Sequence, residues 1–223
     1  MDIVIGLLAL VAFLAIPIAI GLGIGKVAQR KRAGKRAGFV ASGQGWRQAP
    51  PNPQLLAIPL LRTFAGRQQL KEHFHVVGEH RGVPFDAVQY VRPRHYGEVG
   101  PTSASVVVVQ RPVPGPYLRL KPRSGGWNPA DSDGVPLGLP EFDQAMVLGS
   151  DDEQFARAAI HPGLASGLAR DPRVQDTVIE FGPQHLVVFT GRQLNEENTR
   201  PLLDLLLDVH AAVPWQHLAG GHR

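Results

Sequence analysis

Two hydrophobic regimes divide the chain. From Ile3 to Gly25 run 23 residues without a charge; beyond them, apolar positions come in short bursts broken by polar, Gly and Pro residues. A helix over the first stretch is about 34 Å long, enough to cross a hydrocarbon core of about 30 Å. Inside a bilayer every backbone donor needs an internal partner, so a helix is the form expected, kinked mildly at Pro17. The run is long, begins Met1-Asp2 and carries its charges after it, which predicts an uncleaved anchor over 1–25 and not a signal peptide.

After the anchor, 26–54 reads as a basic flank and a Pro/Gly-rich tether ending in Pro50-Pro51-Asn52-Pro53. The pattern from Leu55 to Phe64 predicts a short packed helix interrupted by Pro59. Period-two alternation then predicts a strand over His73–His80, with Phe74 and Val76 on one face and His73, His75 and Glu79 on the other. Glu79 to Gly82 forms the turn into Val83–Arg92. Val106 to Val109 suit a third strand, Ser103–Gln110, buried on both faces. Tyr117–Lys121 continues the meander, with Leu118 and Leu120 inward and Arg119 and Lys121 outward. A loop over 122–140 precedes a strand at Phe142–Leu148. Ser150 and Glu153 make a capping box for the next helix, which ends by His161-Pro162, and a second short helix spans Leu164–Arg170. Val174–Phe181 and His185–Thr190 pair about Gly182-Pro183. A last helix, Arg200–Val213, carries Leu202, Leu206, Val209 and Val213 on one face. The expected fold is α+β: an N-terminal transmembrane helix, then an antiparallel sheet of about six to seven strands with packed helices over 55–217.

Charge alters this picture in one place. The pI of about 9.8 suggests a basic protein, but Lys26, Arg30, Lys31, Arg32, Lys35 and Arg36 hold the excess. Without them and Asp2, 17 basic residues face 18 acidic ones. Basic residues following the span, with none before it, orient the C-terminal domain to the cytoplasm and the N-terminus outside. The same six residues are candidates for anionic headgroups, at about 1 kcal/mol per charge, or act as a topology signal alone. Gly21 and Gly25 are either a close contact for a partner helix or glycines of the kind common in spans. From Arg47 to Arg123 there are 11 basic and 4 acidic residues, and from Ser124 onward 6 and 14, which suggests mutual attraction of the two halves. No single basic surface emerges, so nucleic acid is not an expected partner.

Several stretches carry a resemblance. Gly45-Trp46, Gly82 to Ala87 leading to Tyr90, Pro112-Val113-Pro114 before Leu118, the segment Glu141 to Pro162, and Val213-Pro214 after the last helix resemble a family of actinobacterial membrane proteins. Each of these has one N-terminal span, a basic flank and one soluble α+β domain. The chain departs from the family between Arg119 and Pro140, where it is unusually rich in Pro and Gly. The resemblance implies this architecture and no activity.

Candidate chemistry is thin. With no cysteine, thiolate metal sites and cysteine nucleophiles are excluded. His73, His75 and Glu79 are acceptable metal-ligand types, or a solvated strand face. Asp151-Asp152-Glu153 reads as a capped helix start and not a metal site. Asp131 and Asp133 start like a calcium loop but lack its later glutamate. His161 suits free carbonyls at a helix end, and Trp46, Trp127 and Trp215 read as anchoring aromatics. No catalytic residue, cofactor or metal is expected. Two functions stand: a membrane-tethered cytoplasmic interaction domain or accessory subunit of a membrane complex, and a membrane-anchored enzyme using His73, His75 and Glu79. The first predicts a groove without convergent ionisable groups, the second a pocket where they meet.

Overall fold

A computed structural model of the chain describes residues 45–66, 69–93, 103–123 and 134–218. The predicted span, the glycine pair, the basic flank, Trp127, Asp131 and Asp133 lie outside the described residues. Among the described residues no helix is long and apolar enough to cross a membrane.

Eight antiparallel strands form one sheet. They are β1 (Arg47–Gln48), β2 (Lys71–His80), β3 (Val83–Val91), β4 (Ser103–Gln110), β5 (Leu118–Pro122), β6 (Met146–Ser150), β7 (Thr177–Phe181) and β8 (His185–Thr190), in the order β1-β2-β3-β4-β8-β7-β5-β6. The α+β class, the β2–β3–β4 meander and the β7–β8 hairpin match the sequence pattern. Three features do not, the first being the strand count: eight where about six to seven were expected, because β1 forms within the stretch assigned as tether. β5 does not follow β4 in the sheet, because β8 pairs with β4 along Ser105–Gln110 and takes that place. Phe142 belongs to a short helix, α2 (Pro140–Ala145), and the strand begins only at Met146. Pro140 at N1 and the Asp143 carboxylate, which accepts from the amides of Leu137, Gly138 and Leu139, set that helix start.

The sheet has two covered faces. On one, Val88, Tyr90, Val106, Val108, Val187 and Phe189 pack under Leu55, Ile58, Leu60 and Leu61. These come from a 3-10 turn (Pro53–Ala57) and α1 (Pro59–Ala65), the predicted short helix divided at Ile58. Alternate residues such as Val107, Val109 and Val188 point to the other face and are equally buried, so β4 is enclosed on both sides as its four valines predict. There α5 (Glu196–Ala212) lies along β4 and β8, with Leu202, Leu206, Val209 and the following Val213 all buried. Three shorter helices complete the layer: α3 (Glu153–Ala159), α4 (Pro162–Arg170) and α6 (Trp215–Leu218). The cap of α3 is Asp152, whose carboxylate accepts from the Phe155 amide. Ser150, the expected cap, instead ends β6 with its hydroxyl on the Tyr117 carbonyl.

Residues 45–54, expected as tether, are joined to the sheet. Trp46 is 6% exposed, meets Phe85 edge-on with centroids 5.0 Å apart, and donates from Nε1 to the Glu79 carbonyl at 3.2 Å. It rests on Gly78, where an added Cβ would lie 2.7 Å from its ring. Trp46 and Trp215 (8% exposed) are therefore core residues and not membrane-facing aromatics.

The two halves also attract, as their charges suggest. Arg81 and Gly82 both take positive φ, 52° and 79°, in the two-residue turn between β2 and β3. Arg81 there pairs with Asp204 and Asp208 of α5 at 2.7 Å each, and His80 Nε2 lies 2.9 Å from Asp204. Arg173 reaches Asp208 at 2.8 Å. Partial burial raises the Asp208 pKa, but hydrogen bonds from Arg81 and Arg173 outweigh it and hold the carboxyl below its usual range. On the same layer, burial lowers the pKa of His210, stacked beside Trp215.

Two predictions follow from this packing. Trp46→Ala should cost about 3–5 kcal/mol in equilibrium unfolding. Gly78→Ala should be costly in the native chain and clearly less so in the Trp46→Ala background, where the ring approach of 2.7 Å is gone and only the Cα approach of 3.2 Å remains; equal costs in both backgrounds would refute the contact. For pH, both groups have depressed folded values, so their stability is present at neutrality and lost on acidification. Loss through His210 starts below about pH 6.5, and loss through Asp208 below about pH 4. Thermal midpoints across pH should flatten in the lower window for Asp208→Asn and in the upper one for His210→Gln.

Candidate functional site

Where α1 and its preceding turn stop, the sheet face beneath them opens into a cleft of about 760 Å³. The register explains its floor: Val77 stands opposite Asp86, Asp86 opposite Val108, and Val108 opposite Val187, all on one face. Leu55, Ala57, Ile58 and Pro59 form one wall. The β7–β8 turn, Gly182 to Gln184, forms the other, and Gly45, Arg47 and Glu79 stand at the rim.

Each wall is fastened by a buried polar group. Glu180, fully buried, accepts from the Tyr117 hydroxyl at 2.8 Å, from Arg119 Nη2 at 3.1 Å and from the Leu60 amide at 3.4 Å. It thus ties the first turn of α1 to the sheet, where a carboxylate suits the helix's free amides. Burial, and secondarily the Glu180 charge, push the Tyr117 phenol well above its ordinary pKa. The opposite wall hangs on Arg111, which is 4% exposed. Its Nη1 donates to the carbonyls of Gly182 (2.6 Å), Pro116 (3.2 Å) and Gly115 (3.3 Å). Its guanidinium lies over the rings of Phe155 and Trp215, 5.3 and 5.2 Å from their centroids. Burial lowers its pKa to about 10, so it stays a cation at neutral pH.

His75, buried behind the lining, fastens Asp86. Its Nδ1 lies 2.8 Å from the Pro50 carbonyl and its Nε2 2.7 Å from Asp86 Oδ1. Asn52 donates its amide to Glu72 and caps the 3-10 turn by accepting from the Gln54 amide.

The structure separates the predicted His73–His75–Glu79 set. Register passes from Glu72↔Tyr90 to Phe74↔Gln89, a bulge in which His73 is the inserted residue, and His73 is exposed. His75 is 4% exposed and committed to Asp86 and Pro50, and Glu79 is exposed at the rim. Among the described residues no group of three His, Asp or Glu side chains is disposed to hold a metal. Asp152 serves as a cap, and Glu153 pairs with Arg157. His161 satisfies a carbonyl as predicted, but that of Ala212 at the end of α5; its Nδ1 accepts from the Leu164 amide and so caps α4. Arg119 and Lys121, expected to face solvent, are held in the fold: Arg119 by Glu180, while Lys121 is 8% exposed.

Sequence reasoning missed the cleft because part of its lining, Gly45, Arg47, Asn52 and Gln54, lies in the assigned tether, while its wall was read only as a short packed helix. Asn52-Pro53 was the available signal, a good cap followed by proline at the first helical position. Glu180, a lone charge between Ile179 and Phe181, was another.

No protein-family model and no curated protein matches the sequence. Among solved structures, the chain is similar to the crystal structure of the mycobacterial trehalose monomycolate transport factor A, TtfA. The TM-score is 0.56 at 16% identity, over 79% of this chain and 91% of that one. At this identity the likeness is one of fold. The neighbour's mycobacterial source is actinobacterial, as is the family that the sequence resembles.

The Glu180 anchor generates a direct test. Glu180→Ala leaves the part-buried Arg119 uncompensated and should cost toward the lower end of about 3–5 kcal/mol in denaturant unfolding. In the Arg119→Met background the same change should cost much less; an undiminished cost would show that the pair is not the source.

Proposed function

We propose that the protein is a membrane-tethered accessory factor, held on the cytoplasmic side by its N-terminal span, whose α+β domain contributes a binding cleft to a membrane complex. The observation that carries this reading is the state of the cleft's ionisable groups. Asp86 is bound to His75, and Glu180 to Arg119, Tyr117 and α1. Groups so occupied position walls; they are not disposed as a nucleophile with its base. The competing enzyme reading relied on His73, His75 and Glu79; the β2 bulge sets His73 apart, and His75 is engaged by Asp86 and the Pro50 carbonyl.

The shared fold with a mycobacterial transport factor supports an accessory role in membrane transport. The one-sided basic flank supports the cytoplasmic orientation, with Lys26, Arg30, Lys31, Arg32, Lys35 and Arg36 against anionic headgroups. Gly21 and Gly25 supply a face for a partner helix in the same complex.

Purification from native membranes through a C-terminal tag should recover a membrane-protein partner in stoichiometric amount. Protease added to intact cells should leave the domain whole and digest it only after lysis. Digestion in intact cells overturns the orientation; recovery of the chain alone, in mild detergent and after cross-linking, overturns the accessory role.

A further inference from the structure

We infer that the cleft takes a lysine side chain from an extended segment of a partner membrane protein, its ammonium on Asp86 and its stem on the valines beside it. This rests on the cleft being the binding site of the reading above and names the chemistry of what it holds.

The floor sets one part-free carboxylate in an apolar surface. Asp86 stands between Val77 and Val108, with Val187 one strand further, and its side chain is 34% exposed. His75, behind the lining, holds Oδ1 at 2.7 Å, while Oδ2 accepts nothing among the described residues. The carboxylate therefore has a fixed direction and one oxygen left for the cleft. A lysine suits both surfaces, since its methylene stem packs on hydrocarbon while its head keeps a charged partner. Strands lie about 4.8 Å apart, so a stem resting over Val108 brings its ammonium to Asp86. Arginine suits the site less, because its fork gains most from two oxygens and one is taken.

The lips favour a peptide over a free amine. Gln54, Gln110 and Gln184 line them, are exposed, and have carboxamides that make no hydrogen bond among the described residues. A carboxamide donates and accepts, as a peptide unit does, so the lips can meet the backbone on either side of the lysine. The volume of about 760 Å³ falls within the range of about 300–1,000 Å³ typical of ligand sites. Charge agrees with a cation. Arg47 is the one Lys or Arg among the lining residues, against Glu79, Asp86 and Glu180, and of these three only Glu180 meets a guanidinium from within the described fold. An anionic ligand would enter a site of its own sign, which complementarity disfavours. Gly45 stands at the rim, and residues 26–44 separate it from the predicted span. Those 19 residues extend to at most about 65 Å, a reach that covers the segments flanking a partner's spans. On the cytoplasmic side such segments carry an excess of Lys and Arg.

The test titrates a capped peptide, Leu-Ser-Lys-Ser-Leu, into the full chain in phosphatidylcholine nanodiscs, with binding read by calorimetry. In an extended peptide both leucines share the lysine's face and can reach the valines. A water-soluble carbodiimide then joins the lysine amine to the carboxylate it touches, and mass spectrometry locates the bond. Coupling should fall on the peptide holding Asp86. Norleucine in place of lysine should weaken binding about tenfold or more, and arginine should weaken it less. Asp86→Asn keeps an acceptor for His75; it should bring the lysine peptide down to the norleucine level and leave the norleucine peptide unchanged. If that variant does not fold, the norleucine comparison and the coupling position in the native chain decide. Ala57→Trp, at an exposed wall position, should abolish binding of both peptides. Equal binding of the lysine and norleucine peptides, coupling scattered over exposed carboxylates such as Asp176, or undiminished binding by folded Asp86→Asn overturns the inference. Hexylamine binding as tightly as the peptide overturns the peptide part. A stoichiometric partner recovered equally by the native chain and Asp86→Asn removes this inference and spares the accessory role. Lysine-dependent binding at Asp86 with no partner does the reverse.

Discussion

The pairing of β4 with β8 joins two pieces of sheet that the chain builds far apart. β2, β3 and β4 form a meander from local turns, and β5, β6 and β7 gather around the later hairpin. Without the Ser105–Gln110 to His185–Thr190 ladder, each piece would expose an apolar edge. Val106 to Val109 make the join strongly favourable, because every second valine is buried on each face. The join also creates the cleft. Its floor crosses from β2 through β3 and β4 to β8, so neither piece could present it alone.

Once that seam is closed, the polar residues on its surface must be satisfied locally. Glu180 sits between the apolar Ile179 and Phe181, and its burial is tolerable only because three donors meet it. Arg111 takes a different solution: carbonyls and two aromatic faces replace a counter-ion. Both devices act at the cleft's walls, Glu180 at the first turn of α1 and Arg111 at the β7–β8 turn. Wall position is therefore set by directional bonds, while the floor is set by packing.

What the sequence made legible follows from the range of each signal. The hairpin about Gly182-Pro183, the Val106–Val109 strand and the buried stripe of α5 are local patterns, and all were readable. The strand order was not, because β5 and β8 are both short apolar strands and nothing in either marks a partner. Trp46 was misplaced for a related reason. Gly and Pro around it suggested a tether, while the glycine that receives it, Gly78, lies in another strand. Arg119 and Lys121 obeyed alternation, yet the inference that charge faces water failed, since Glu180 stands opposite Arg119 in the register. The His73–His75–Glu79 set failed at His73 through one inserted residue in β2, which alternation cannot foresee, and at His75 through its bonds to Asp86 and Pro50.

The distribution of charge divides labour between two parts of the chain. Six basic residues lie within Lys26–Arg36, and the rest of the chain beyond Asp2 is close to neutral. On the proposed reading, attraction to an anionic surface is thereby confined to the flank and decays within a Debye length of about 8 Å. The domain then needs no basic face to remain near the bilayer. Its cleft keeps more carboxylates than guanidinium groups, an arrangement that a membrane-seeking surface would not tolerate. A flank that supplies non-specific affinity leaves the cleft free to discriminate by hydrogen bonding and shape, so salt should govern how long the domain stays at the surface and not what the cleft accepts.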